Sequence, residues 1–182
     1  MNALLATIGE SPVETLLSVL PTDAGTALAN IRRFSRQLQK SGWSFNLDKN
    51  FSLAPDIGGE IILPLNTLKV DASNPNEHFV QRGKRLYDPL NHTFIFDKPV
   101  VVDIVFGLAF DELPETARNF IMTAAARRFQ DQFLGDGNLH AFNERDERTA
   151  WAEFLADEAE NEDHNVLHSP TPARILRYRK RT

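Results

Sequence analysis

The spacing of apolar residues changes period twice along the chain. Between residues 22 and 42, Ala24, Ala27, Leu28, Ile31, Phe34 and Leu38 recur at steps of three and four, which places them on one face of a helix. Thr22 or Asp23 suits its N-cap and Gly42 its stop. Ahead of it, Leu4, Leu5 and Ile8 belong to a short helix that Gly9 would end. Ser11-Pro12-Val13-Glu14 is a capping box with proline at the first helical position, predicting a second short helix through Leu20.

After Gly42 the period shortens. Trp43–Leu47 and Phe51–Leu53, separated by Asp48-Lys49-Asn50, read as a hairpin. Residues 60–63, 68–71, 78–80, 85–87, 94–96 and 100–106 are further strand candidates. Pro55, Pro64, Pro75, Pro89 and Pro99 separate them at near-regular intervals, as in a small antiparallel sheet with many turns. Residues 100–106 form the most apolar run and should lie centrally. Arg82-Gly83-Lys84 and residues 88–92 look like exposed turns.

Helical spacing returns at Phe110–Gly135. Asp111, Glu112 and Glu115 crowd its start, Pro114 fits the first turn, and Gly135 is the expected stop. Leu113, Ala117, Phe120, Ile121, Met122, Ala124, Ala125, Phe129 and Phe133 cover an arc of about 220°. So wide an apolar surface asks for cover on two sides: the subunit's own core and a second layer or a neighbouring subunit. Arg118 and Arg128 interrupt the arc, either as ion pairs or snorkelling cations within one subunit or at the rim of a contact. Phe120, Ile121 and Phe129 join them as interface candidates. A loop, GDGNLHAF, should follow, and then a helix from Asn143 with an apolar face of Ala150, Trp151, Phe154, Leu155 and Ala159. The fold class is therefore α+β: N-terminal helices and two long C-terminal helices bundled around an inserted small antiparallel β region.

Composition narrows the function classes. With 42% hydrophobic residues and 25% charged, the chain suits one soluble domain; no apolar run approaches the roughly 18 residues of a membrane span. The N-terminus has no basic n-region or small-residue cleavage site, so residence in the cytoplasm of the producing cell is expected. There is no cysteine, which excludes disulfides and thiolate chemistry. The net charge of -5 conceals an asymmetry: residues 144–164 carry nine acids and two bases, whereas 166–182 carry Arg174, Arg177, Arg179, Lys180 and Arg181 and no acid. Pro170 and Pro172 forbid helix continuation into that basic tail, which is too polar to fold alone.

Candidate chemistry is sparse. Asp111, Glu112 and Glu115 have the composition of paired glycosidase carboxylates, but consecutive acids at a helix start more often serve the dipole. His164 and His168 have zinc-like spacing without a third ligand. No phosphate-binding loop or nucleophile elbow is present, and no catalytic residue, metal or cofactor is assigned.

Five blocks, in order, resemble one family: LLATIGESPVETL at Leu4–Leu16, ANIRRFSRQLQKSGWSFN at Ala29–Asn46, FVQRGKRLYDPLNHT at Phe79–Thr93, Phe110–Gly135, and AWAEFLADEAENEDHNVL at Ala150–Leu167. Together they are similar to the tail tubular A proteins of short-tailed bacteriophages. The resemblance implies a non-enzymatic structural virion protein of the tail, assembled in the host cytoplasm as a homo-oligomeric ring, commonly twelvefold. Portal protein would lie on one side and the nozzle, tail tubular protein B, on the other, with tail fibres and ejected channel DNA as further contacts and no membrane anchor. It implies one adaptor domain over 1–165, with helices in 1–42 and 110–165 and the β-rich insertion at 43–107. An extended basic arm, 166–182, would reach the portal or DNA through Arg174, Arg177, Arg179, Lys180 and Arg181. A capsule-glycan hydrolase and a DNA-binding module are the alternatives.

Overall fold

A computed structural model describes residues 1–6, 22–133 and 137–167. Its elements are α1 (Asn2–Ala6), α2 (Thr22–Gln39), β1 (Leu47–Leu53), β2 (Thr67–Ala72), β3 (Val80–Arg82), β4 (Arg85–Tyr87), β5 (Val100–Phe106), α3 (Glu115–Phe133) and α4 (Gly137–Leu167), with a 3-10 turn at Phe110–Glu112. The fold is α+β as the period changes predict. The second short helix, Gly135 and residues 168–182 of the basic arm lie outside the described residues, and α4 runs two residues into the expected arm, to Leu167.

The sheet has the order β1-β5-β2, both pairs antiparallel, so the most apolar strand is central. Val102 and Ile104 are fully buried on it, alongside Leu53, Ile61, Leu63, Val70 and Leu86 in one core. β3 and β4 form a separate hairpin closed by Gly83 at φ 64. A second core joins the helices: Leu4 and Leu5 of α1, Ala24, Ala27, Ile31 and Leu38 of α2, Ala117, Ile121, Ala125 and Phe129 of α3, and Phe154 of α4.

Four local expectations are corrected. Residues 43–53 are not a hairpin: Leu47–Leu53 is a single strand, and the polar trio lies within it. Its register shifts between Asp48 and Phe51, and Asn50 adopts φ 58, which asparagine tolerates. The Asn50 N–H then donates to Asp103 across the sheet. Residues 60–63 and 94–96 form only isolated bridges, Glu60 with Ile95 and Ile62 with Arg85. Finally, the expected loop GDGNLHAF is helical from Gly137 onward, and Leu155 and Ala159 face solvent while Glu158 is buried.

Two buried amides hold the β region to the helices. Asn46 donates through Nδ2 to the carbonyls of Gln39 and Phe106 and accepts from the Trp43 N–H. Gln39 donates to the Leu108 carbonyl, and its Oε1 accepts from the Leu108 N–H at 2.7 Å. A carboxamide offers both donors and an acceptor, so each side chain ties two backbone crossings at once. Gly42, at φ 78, lets the chain turn between them; a Cβ there would lie 2.9 Å from Val105 Cγ2.

The turn at 88–92 illustrates a titrating contact. Asp88 Oδ1 accepts from the Leu90 and Asn91 N–H groups, and Oδ2 from Asn91 Nδ2 at 2.7 Å. The Asn91 side chain foremost, with the two backbone bonds, holds this carboxyl below its ordinary value. The turn is thus supported above the unfolded carboxylate pKa and loses that support as pH falls through the lower folded value. Asn91→Ala is expected to move the Asp88 pKa upward toward 3.8 in an NMR titration.

Candidate assembly interface

The helix that carries the interface candidates starts on acids. Glu112 accepts from the Ala109 N–H at 2.8 Å, and Glu115 pairs with Arg118 one turn on. Asp111 is exposed beside them, and all three lie where a helix N-terminus favours negative charge. None of them lines the apolar groove between α2 and the β5–α3 connection.

α3 lies between α2 and α4, and this consumes most of its wide apolar arc. Leu113, Ala117, Ile121, Ala124, Ala125 and Phe129 are buried. Ile121 and Phe129 in particular are fully enclosed, so they support the subunit's own core. Phe120 is half-covered by Trp151 of α4, with ring centroids 4.9 Å apart. Phe133 stacks on Phe129 at 4.6 Å yet stays 42% exposed. The two arginines differ. Arg118 is partly covered, tethered to Glu115, and its buried Nε has no hydrogen-bond partner among the described residues. Arg128 is exposed.

The arginine that ties the helices together is Arg127, which spacing did not single out. It donates to Glu147 of α4, and both side chains are largely covered. The hydrogen bond to Glu147, opposed by burial, raises its already high pKa, so it stays charged at any working pH. Asn143 with Gln130, and His140 with Asp131 at 2.8 Å, continue this polar seam, while Asn30 of α2 donates to Gln132 at 3.0 Å. Adjacent arginines point about 100° apart on a helix. Only the position of α4 decides which one is paired, and nothing local to 127–128 signals it.

The β region presents apolar side chains to solvent: Ile57, Ile62, Leu65, Leu90 and Ile95 are each at least half exposed. A groove of about 590 Å³ runs between α2 and the β5–α3 connection, with Leu28, Ile31, Leu68, Leu108, Phe110 and Met122 along it and the exposed Arg32 and Arg36 also lining it. His164 falls in α4, and His168, Arg174, Arg177, Arg179, Lys180 and Arg181 lie outside the described residues. No described helix is long and apolar enough to cross a membrane.

Comparison with known proteins places these features in a family. A family model described as tail tubular protein matches residues 1–164. Tail tubular protein A of Klebsiella phage KP34 is 32% identical over 150 residues, covering 81% of this chain and 79% of that protein.

Proposed function

We propose that this chain, which belongs to the tail tubular protein family and so is a structural component of a phage tail, forms the ring that joins portal to nozzle and carries DNA through its centre. The match over residues 1–164 carries the reading. Surface chemistry supports it. A closed ring needs two different faces per subunit, one meeting the other on the next copy. The described residues offer an exposed Arg128 and Phe133 on α3, an apolar groove also lined by arginines, and a separate set of exposed isoleucines and leucines. With Ile121 and Phe129 inside the subunit, the contact on α3 falls to Arg118, Arg128 and the open edge of Phe120. Residues 1–165 act as one adaptor domain, and the basic arm binds portal or the passing DNA.

The mass of the full chain, alone and mixed with its portal ring, tests this. A complex holding many copies is expected; a strict monomer in the presence of portal overturns it. Arg128→Ala is expected to change folding stability by no more than about 0.5 kcal/mol, as surface substitutions do, while lowering the assembled fraction. Loss of the monomer fold instead would return Arg128 to a purely internal role.

A further inference from the structure

The most exposed apolar side chain of the described residues sits on one of its most tightly hydrogen-bonded loops. Ile57 is 109% exposed relative to a free residue, at the tip of Asp56–Glu60. Asp56 Oδ1 accepts from the Gly58 and Glu60 N–H groups, both at 2.9 Å. The Asp56 N–H donates to the Glu60 carbonyl at 2.8 Å, and the Gly59 N–H to the Asp56 carbonyl at 3.0 Å. Gly59 is at φ 80 and lies against Ile95, so the turn is also held from below. A loop fixed this way has little entropy left to lose on binding, which favours the side chain it displays as an anchor.

We infer that Ile57 is the plug of the head-to-tail contact, seated in the groove between α2 and the β5–α3 connection of the next copy of this chain. The occupant is argued from charge and from position. The groove is apolar along Leu28, Ile31, Leu68 and Met122 and is also lined by the exposed cations Arg32 and Arg36. The loop brings an exposed acid, Asp56, next to its isoleucine, with Glu60 behind it already paired to Arg85. Plug and groove also sit at opposite ends of the sheet. β1 runs into the loop opposite Val100, whereas the groove lies where Thr67 pairs with Phe106. Six residue steps along β5 separate the two ends, roughly 20 Å at strand spacing. Two complementary patches on different parts of one subunit are what a heterologous contact, repeated from copy to copy, requires.

This inference rests on the ring reading, and the experiment separates the two. The chain has no cysteine, so single variants Ile57→Cys and Ser35→Cys, mixed under mild oxidation, report only contacts between copies. A covalent dimer in the mixture and not in either variant alone is the expected result. Dimers of Ile57→Cys with itself, or none in the mixture while many-copy assemblies form on portal, overturn the plug and leave the ring. A mixed dimer without any larger assembly keeps the plug and removes the ring. Ile57→Asp, a change at a solvated tip, is expected to keep the thermal midpoint and weaken self-association about tenfold or more. Unchanged self-association overturns the plug independently of the cross-link.

Discussion

Phe154→Ala is expected to destabilise the fold by about 3–5 kcal/mol, the range for deleting a fully buried phenylalanine. Phe154 is completely enclosed and projects from α4 into an aromatic cluster. Its ring lies 4.7 Å from Trp43, 6.4 Å from Phe45 and 5.6 Å from Trp151. Trp43 and Trp151 also meet edge to face at 5.9 Å. Such pairs add stabilisation beyond the apolar area they bury. Two of the partners, Trp43 and Phe45, belong to the turn between α2 and β1, so this one ring docks α4 onto the start of the β region. Total stability of a domain is about 5–15 kcal/mol, so the loss is roughly a fifth of it or more. Denaturant titration of the alanine and leucine variants checks this: alanine should lower the midpoint far more than leucine. Equal midpoints for wild type and alanine would show that α4 is held elsewhere.

The second large effect is expected at Glu158, one turn along the same helix and 5% exposed. Its carboxylate accepts from both the N–H and the hydroxyl of Ser44, at 2.9 and 3.0 Å. Bonds to a charged acceptor are worth about 1.5–3 kcal/mol and cost more when one side is deleted and the other left unpaired. Glu158→Ala is therefore expected to cost about 2 kcal/mol, and Glu158→Gln less, since one oxygen remains. Ser44→Ala combined with Glu158→Ala should cost less than the sum of the two single changes, as for partners in one network. Additive losses would mean that the two side chains stabilise the fold separately.

The parts of the fold that could be read from the sequence are those whose causes are local. α2 and α3 begin where a cap or a proline-acid turn says they should. α2 stops before Gly42, whose left-handed φ and contact with Val105 leave no room for another side chain. β5 is central because six of its seven residues are apolar and β-branched or aromatic on both faces. The misreadings arise where a distant element supplies the reason. Asp48-Lys49-Asn50 looks like a turn, yet it is carried through β1 because Asp103 of β5 receives the Asn50 N–H. Residues 137–142 contain glycine and asparagine and look like a loop, but they extend α4, with His140 and Asn143 reaching α3. Glu158 reads as one more acid on a charged helix; only Ser44, 114 positions away, makes it a buried acceptor.

The candidate interface divides in the same way. A wide apolar arc on α3 correctly indicates cover on two sides, but both covers, α2 and α4, come from the same chain, so Ile121 and Phe129 are spent internally. The rigid display of Ile57 could not be read from its residue type. An isolated isoleucine between aspartate and two glycines gives no periodic signal, and its exposure depends on the bonds from Asp56 that set the loop.

The paired amides of Gln39 and Asn46 also determine where tension travels. A pull that separates α2 from α3 meets the chain at its two crossings into the β region, Trp43–Asn46 and Phe106–Leu108. There Asn46 bridges Gln39 to Phe106, and Gln39 clamps Leu108 from both sides. This bracket joins the helices ahead of the strands, so a load passed through the helices is expected to reach the bracket first and to strain β1, β2, β5 and the Ile57 loop beyond them less.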